Sequence, residues 1–175
     1  VSYSLSGTDA SSMSINSSSG VLTFNSAPDY ETKTSYIATV TASDGTNSAT
    51  QDINVNILDA NDSAPVFTSS AGFSTAETQT SIGTITTTDP DNDTVTYSLS
   101  GTDASSISIN SSSGLLAFNS APDYETKSSY SVTVTASDGT NSTAQIITVT
   151  ITDVDDVAPV FTSNATFSAA ENQTS

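Results

Sequence analysis

The chain has 175 residues, of which 19 are acidic and 2 are basic, so its formal net charge at pH 7 is −17. This charge excludes nucleic acids and anionic membrane surfaces as partners, because both are bound through lysine and arginine. The chain contains neither cysteine nor histidine, which excludes disulfides, thiolate metal sites and catalytic arrangements that use a histidine base.

Alternation of apolar and polar residues begins at the first position of the chain. Residues 1–5 follow this pattern, as do residues 81–86, 94–99, 130–135 and 147–152, and such alternation is typical of strands buried on one face. We expect the chain to begin within a folded unit, so that any secretion or anchoring segment lies outside it. No apolar run approaches the roughly 20 residues that span a bilayer, so we expect no membrane insertion of this segment.

Most of the chain repeats at an interval of about 94 residues, and about 61 of the 81 positions that overlap at this interval are identical. We therefore predict that residues 1–62 are the later part of one repeat, residues 63–156 a complete repeat and residues 157–175 the start of a third. About seven strand patterns per repeat, with no helical periodicity, predict an all-β fold of tandem immunoglobulin-like sandwiches. An Asp138-Gly139 pair predicts a hairpin between the last two strands.

The acidic residues gather in five places within the repeat. These are an Asp-x-Glu pair, a segment directly before Ala-Pro, an Asp-x-Asp-x-Asp run, the aspartate of Ala-Ser-Asp-Gly, and a lone glutamate after an apolar strand. The Asp-x-Glu pair is Asp29 and Glu31, with its copy at Asp123 and Glu125, and the segment before Ala-Pro is residues 59–62, with its copy at 153–156. The Asp-x-Asp-x-Asp run is Asp89, Asp91 and Asp93. The aspartate of Ala-Ser-Asp-Gly is Asp44, with its copy Asp138, and the lone glutamate is Glu77, with its copy Glu171. Asp9, Asp52 and Asp103 lie outside these clusters, and we predict that they are solvated surface residues.

A compact group of carboxylates needs a cation. Two carboxylates about 4 Å apart repel by about 4 kcal/mol at an effective dielectric constant of 20, whereas calcium accepts roughly six to eight oxygen ligands of mixed type. Side chains two positions apart in extended backbone share a face, so each Asp-x-Asp or Asp-x-Glu pair can bind one ion. An EF-hand starting at Asp89 is excluded, because Thr94 stands at the sixth position instead of glycine and Ser100 at the twelfth instead of glutamate.

Five motifs carry a resemblance to a known family. The matching positions are residues 29–31 for D-x-E, 59–67 for the linker D-x-N-D-N-x-P-x-F, 89–91 for D-x-D, 136–139 for A-x-D-G, and Glu77 for a first-strand glutamate. Ser63 replaces the second asparagine of the linker motif. In this order, and repeated, the motifs resemble the calcium motifs of the cadherin repeat over essentially the whole chain.

The resemblance implies tandem seven-stranded Greek-key sandwiches with about three Ca²⁺ ions at each complete junction between repeats. At the first junction the implied ligands are Asp29, Glu31, Asp59, Asn61, Asp62, the carbonyls of Ala60 and Ser63, Asp89, Asp91 and Asp138. At the second they are Glu77, Asp123, Glu125, Asp153, Asp155 and Asp156, and Glu171 is the copy of Glu77 in the third repeat. Asp155 stands where the first linker has Asn61, which makes the second junction more anionic.

These observations predict an extracellular or cell-surface segment that is not an enzyme. We expect calcium to stiffen this segment, which would serve as an extender of a membrane-associated or secreted adhesin. Its partners would be calcium and the neighbouring repeats of the same protein. Its Ser/Thr richness and lack of cysteine are similar to bacterial or marine surface proteins. The alternative is a homophilic or polysaccharide-recognition module, which could form head-to-tail filaments if residues 157–175 were donated to another copy, with Glu171 joining its Asp29 and Glu31.

Overall fold

A computed structural model of the chain describes residues 1–163, 165, 166, 168, 169 and 171. The first part, called the first sandwich below, contains five strands and a one-turn 3-10 helix at Ala10–Ser12. The strands are β1 (Ser2–Ser6), β2 (Met13–Ile15), β3 (Leu22–Phe24), β4 (Ser35–Ser43) and β5 (Ser48–Asn56). No helix in the part of the chain that the structure describes is long and apolar enough to cross a membrane.

The second part, called the second sandwich, contains nine strand segments. They are β6 (Val66–Phe67), β7 (Gly72–Ala76), β8 (Ser81–Thr84), β9 (Thr87–Thr88), β10 (Thr96–Ser100), β11 (Ile107–Ile109), β12 (Leu115–Phe118), β13 (Ser129–Ser137) and β14 (Ser142–Thr152). Its opening strand is divided in two, because β6 pairs antiparallel with β9 whereas β7 pairs in parallel with β14. The strand predicted over residues 81–86 forms as β8, which ends at Thr84, and β9 follows it as a separate short segment, so nine segments make up about seven strands.

Two sheets enclose the core of the second sandwich. One has the strand order β10-β13-β14-β7 and the other the order β11-β12-β8. The buried core draws on both sheets and includes Leu116 from β12, Val134 from β13 and Ile147 from β14, none of which is exposed. This arrangement confirms the all-β, immunoglobulin-like fold class that the alternating pattern predicts.

The hairpin between β13 and β14 positions an acidic loop at one end of the sandwich. The two strands pair antiparallel from Ser129↔Thr150 to Ser137↔Ser142, which leaves residues 138–141 as the turn. Gly139 has a φ of +98°, a conformation that glycine adopts at low cost. The predicted hairpin is therefore confirmed, and Asp138 lies at its tip.

The first sandwich repeats three of the pairings of the second, β1 with β4, β4 with β5 and β2 with β3, and its core is less complete. Its β1-β4-β5 sheet has three strands where the second sandwich has four. Val40 and Ile53 are half-buried, whereas their counterparts Val134 and Ile147 are fully buried. The outer edge of β5 is unpaired among the described residues, whereas the corresponding edge of β14 pairs with β7.

The two lysines have structural partners. Lys33 forms an ion pair with Asp9, and Lys127 forms the equivalent pair with Asp103. Each of these aspartates also accepts a backbone N–H at 2.8 Å. Asp9 is 9 % exposed, so the prediction of solvated surface is wrong for this residue and for the half-buried Asp103. Asp52 is exposed as predicted.

Among the described residues, the segment after β14 contains no strand. Residues 157–163 have no regular secondary structure, and Phe161 is 94 % exposed. Its counterpart Phe67 packs against the core of the second sandwich. Residues 157–163 pair with no strand in the described chain, which accounts for their exposure. The rest of the predicted segment includes residues 164, 167, 170 and 172–175, which lie outside the described residues.

Candidate functional site

Four chain segments meet between the two sandwiches, and we call this contact zone the first seam. They are residues 28–33 before β4, the linker at residues 57–65, the loop at residues 89–95 between β9 and β10, and the β13–β14 turn at residues 138–141. The first segment belongs to the first sandwich and the last two to the second. The seam therefore collects acidic residues from both sandwiches and from the linker.

Two groups of carboxylates come together in the first seam. One oxygen from each of Glu31, Asp59 and Asp91 lies within 4.8 Å of the others, and the same limit holds for Asp89, Asp91 and Asp93. Asp91 belongs to both groups and is only 7 % exposed. Asp93 was not among the predicted ligands, although the Asp-x-Asp-x-Asp spacing contained the signal that would have found it.

The two carboxylate oxygens of Asp89, Asp91 and Asp138, all in the second sandwich, have different surroundings. Asp89 Oδ1 accepts the N–H groups of Asp91 and Asp93 at 3.0 and 3.2 Å. Asp91 Oδ2 accepts two N–H groups of the linker at 3.1 and 2.9 Å. Asp138 Oδ1 accepts the N–H groups of two turn residues at 2.7 and 2.6 Å. These bonds hold the three side chains in fixed orientations.

The second oxygen of each of these side chains is buried without a partner. Asp89 Oδ2, Asp91 Oδ1 and Asp138 Oδ2 make no hydrogen bond among the described residues. A buried polar atom left unpaired costs about 1–3 kcal/mol, and charged oxygens cost more. Three such oxygens in one seam fit a bound cation, because carboxylate oxygens are the ligands that calcium prefers.

The pKa values of two seam residues lie above their ordinary values. The backbone N–H of Glu31 lowers the pKa of its side chain. Burial, the charges of Asp91 and Asp59, and a hydrogen bond with Asp29 together raise this pKa above its ordinary value. The pKa of Asp93 is also raised, first by burial and then by the charges of neighbouring aspartates. The seam therefore disfavours full ionisation in the absence of a cation.

Asn141 connects the turn of the second sandwich to the linker. Its Nδ2 donates to Asn61 Oδ1 at 2.9 Å and lies 3.4 Å from the carbonyl oxygens of Asn61 and Ser63. Burial raises the pKa of Asp138, but the N–H groups of Asn141 and Thr140, with the Asn141 and Asn61 side chains, lower it below its ordinary value. Sequence reasoning missed Asn141, because its contact with Asn61 joins residues 80 positions apart.

Other predicted residues of the first seam lie outside the two carboxylate groups. The Asp29 carboxylate accepts the hydroxyl and N–H of Thr32 at 2.7 and 3.2 Å, and these contacts lower the pKa of Asp29. The side chains of Ala60 and Asp62 are exposed. Asp62 Oδ1 accepts the Ser63 hydroxyl at 3.3 Å.

The second seam lies at the far end of the second sandwich. Oxygens of Glu77, Asp123 and Glu125 lie within 4.8 Å of one another. Glu77 is 1 % exposed, and its two oxygens accept the N–H groups of Tyr124 at 2.8 Å and Val154 at 2.7 Å. Its carboxylate therefore fixes the start of the segment that follows β14.

Asp153 and Asp156 affect the second seam through their charges. The backbone N–H of Glu125 lowers the pKa of its side chain, but burial and the charges of Glu77, Asp153 and Asp156 raise this pKa above its ordinary value. Asp155 and Glu171 are exposed and belong to none of the carboxylate groups found in the described residues.

Comparison with known proteins gives one family and many animal relatives. The family described as "Cadherin domain" matches residues 72–155. The chain is 36 % identical over 160 residues to mouse (Mus musculus) Protocadherin Fat 4, covering 84 % of the chain and 3 % of that protein. It is 40 % identical over 164 residues to human (Homo sapiens) Protocadherin-23, covering 84 % of the chain and 5 % of that protein. The chain thus spans only a small part of these relatives.

A solved structure shares the fold across both sandwiches. It is described as "Protocadherin gammaB7 EC3-6 cis-dimer structure" and matches with a TM-score of 0.75 at 32 % identity, covering 88 % of this chain and 41 % of that one. The mouse and human relatives are animal proteins, so they do not support the narrower expectation of a bacterial or marine adhesin.

Proposed function

Since residues 72–155 form a domain of the cadherin family, we propose that the chain is a calcium-binding extender segment of an extracellular or cell-surface adhesion protein. The named relatives are protocadherins, which supports an adhesive and extracellular context. No catalytic role is proposed. The division into a partial repeat at residues 1–62, a complete repeat at 63–156 and a third at 157–175 is part of this proposal.

The proposal rests on one observation, which is that the two oxygens of each of three carboxylates have different surroundings. Asp89, Asp91 and Asp138 each use one oxygen for backbone N–H groups. Each leaves the other oxygen buried and unpartnered among the described residues. Side chains held by the protein on one side and unsatisfied on the other are suited to metal coordination.

Calcium fits this donor set best. The seam offers oxygen donors only, without sulfur or imidazole, and hard divalent cations prefer oxygen. In the proposal about three ions occupy a complete seam. The first seam would use Asp29, Glu31, Asp59, Asn61, Asp62, Asp89, Asp91 and Asp138 with the carbonyls of Ala60 and Ser63, and Asp93 joins them. The second would use Glu77, Asp123, Glu125, Asp153, Asp155 and Asp156.

The mechanical consequence follows from where the ligands come from. Glu31 belongs to the first sandwich, Asp59 to the linker and Asp91 to the second sandwich, and their oxygens already lie within 4.8 Å of one another. A cation shared by these three residues ties the sandwiches together. Without it, like charges face each other across the linker and drive the sandwiches apart.

Calorimetric calcium titration of the intact chain tests the binding site. Extracellular calcium modules bind with dissociation constants of about 10⁻⁴–10⁻³ M, so the titration should extend into the millimolar range. Asp91→Asn should weaken binding by at least about tenfold, because it removes a charge shared by both carboxylate groups. The matched control is Asp52→Asn, an exposed aspartate on β5 outside both groups. Equal binding by both variants would contradict the assignment.

The second candidate function is self-association through β5. The outer edge of this strand is unpaired among the described residues, whereas the corresponding edge of β14 carries β7. An unpaired edge can accept a strand from another copy, and residues 157–175 resemble the segment that contains β7. Light scattering in calcium tests this candidate, since a strictly monomeric chain at micromolar concentration would eliminate it.

A further inference from the structure

Neutral side chains make the central contact of the first seam. Asn141 lies on the turn of the second sandwich, and its Nδ2 donates to Asn61 Oδ1 at 2.9 Å. The carbonyl oxygens of Asn61 and Ser63 lie 3.4 Å from the same nitrogen. One amide group therefore faces three linker oxygens, in a region where most neighbouring side chains are carboxylates.

The linker is joined to the second sandwich by further contacts. The N–H groups of Asp62 and Ser63 donate to Asp91 Oδ2 at 3.1 and 2.9 Å. On the other side, the N–H of Ile57 donates to the carbonyl of Thr34 in the first sandwich at 2.9 Å. Residues 58–60 lie between these two attachments, and Leu58 is 85 % exposed. The pivot between the sandwiches therefore lies at residues 58–60.

Contacts between carboxylates and hydrogen bonds made by an amide respond differently to a cation. Carboxylates that face one another separate when no cation neutralises them, so contacts between them depend on calcium. An amide carries no net charge, and its hydrogen bonds to carbonyl groups need no cation. The Asn141 contact should therefore persist when calcium is removed.

We propose that Asn141 is a positioning residue, which keeps residues 61–63 docked on the second sandwich in the absence of calcium. The second sandwich then presents a preformed half of the seam, and calcium only has to capture Glu31 and Asp59 from the side of the pivot. The statement about calcium rests on the proposed function, whereas the docking itself does not. A preformed half-site lowers the ordering cost of binding.

The repeat supplies a matched control in Asn47, the counterpart of Asn141. Asp44 Oδ1 accepts the N–H groups of Thr46 and Asn47 at 2.9 and 2.8 Å, as Asp138 does in the second hairpin. Alanine at either position keeps this backbone N–H and removes only the side-chain amide. Asn47 faces no linker among the described residues, so Asn47→Ala measures the local cost to the turn alone.

Amide hydrogen exchange of the ¹⁵N-labelled intact chain in chelator tests the docking. The N–H groups of Asp62 and Ser63 should be protected in the unmodified chain, and their exchange should accelerate about three- to tenfold in Asn141→Ala. Asn47→Ala should leave them unchanged. The N–H groups of Tyr124 and Val154, which report on the second seam, should be unchanged in both variants. The proposal is overturned if Asn141→Ala leaves the linker amides unchanged, or if Asn47→Ala accelerates them equally.

Calcium titration of the same samples, followed by the chemical shifts of these amides, tests the positioning role. Asn141→Ala should weaken binding at the first seam about three- to tenfold, with little change at the second. Unchanged affinity with accelerated exchange would overturn the positioning role while leaving the docking. If the unmodified chain binds no calcium, the proposed function fails, and the exchange measurement in chelator still decides the docking.

Discussion

The buried carboxylate of Asp91 accepts the N–H of Ser63 at 2.9 Å, and its other oxygen has no partner among the described residues. One side chain thus holds the linker and also offers an oxygen to the centre of the seam. Removing Asp91 would change both at once, so the effect of charge is better isolated at the edge of the cluster.

Asp93→Asn isolates the charge. Burial and then neighbouring carboxylates raise the pKa of Asp93, so its charge is unfavourable when no cation is present. The variant should melt at a higher temperature than the unmodified chain in chelator. In calcium the variant should melt at a lower temperature than the unmodified chain, because its affinity for calcium should be lower by about tenfold. Calorimetric melting in both conditions measures this, and a variant that shifts in the same direction in both would contradict a role in cation binding.

Lys127→Met should expose the contribution of the ion pair to stability. Lys127 pairs with Asp103 and lies 4.7 Å from the ring centre of Tyr130, so its loss should cost about 1 kcal/mol of unfolding free energy at pH 6. Urea denaturation measures this cost. Lys127→Arg keeps the charge and should lose less.

The cost should depend on pH with a defined sign. The hydrogen bond from Lys127, followed by the N–H of Ser131, lowers the pKa of Asp103 below its ordinary value of 3.8. A carboxylate with a lowered pKa contributes stability above its unfolded-state pKa and loses it as the pH falls through the folded-state pKa. The difference between Lys127→Met and the unmodified chain should therefore shrink below pH 3.8, and a difference that grew there would contradict the pairing.

Glu77→Ala should destabilise the chain even in chelator. Glu77 is buried and accepts the N–H groups of Tyr124 and Val154, and each N–H left unpaired costs about 1–3 kcal/mol. We expect a loss of about 2–4 kcal/mol in unfolding free energy, measured with urea. Glu171→Ala changes the exposed counterpart and should have no measurable effect. A Glu77→Ala variant as stable as the control would show that the buried carboxylate is not structural.

Asn61→Asp gives the first linker the aspartate that the second linker has at the equivalent position, Asp155. A carboxylate at position 61 would keep an acceptor for Asn141 but add a charge close to Asp138. The melting temperature in chelator should fall, and the increase on adding calcium should be larger than in the unmodified chain. Differential scanning calorimetry measures both. Asp155→Asn is the reciprocal control, and it should leave the first seam unchanged.

Local sequence patterns predicted the strands well, because period-two alternation needs no knowledge of distant residues. Val132, Val134 and Ala136 are buried, with hydroxyl residues between them, as the alternation indicates. Division of the opening strand between β6 and β7 could not be predicted, because it depends on pairing with β9 and β14. The same reason explains the exposure of residues 157–163, which alternation alone does not reveal.

The candidate site was predictable as a set of residue types but not as a set of contacts. Clusters such as Asp89-x-Asp91 indicate a cation site from their spacing alone. The pairing of Asp9 with Lys33 joins residues 24 positions apart, and nothing in the local sequence of Asp9 distinguishes it from a surface aspartate. Which oxygen of Asp91 bonds to the linker also depends on folded geometry, so the buried unpaired oxygens were beyond sequence reasoning.

Small-angle X-ray scattering of the intact chain, in millimolar calcium and then in excess chelator, tests most directly whether calcium joins the two sandwiches. Dilute samples keep the comparison free of association between chains. In calcium, the account predicts a narrow distance distribution with a well-defined maximum, as expected for a rod. In chelator, the distribution should broaden and its maximum should shift, because the pivot at residues 58–60 is released while the second sandwich stays folded. Identical scattering curves in the two conditions would contradict the account.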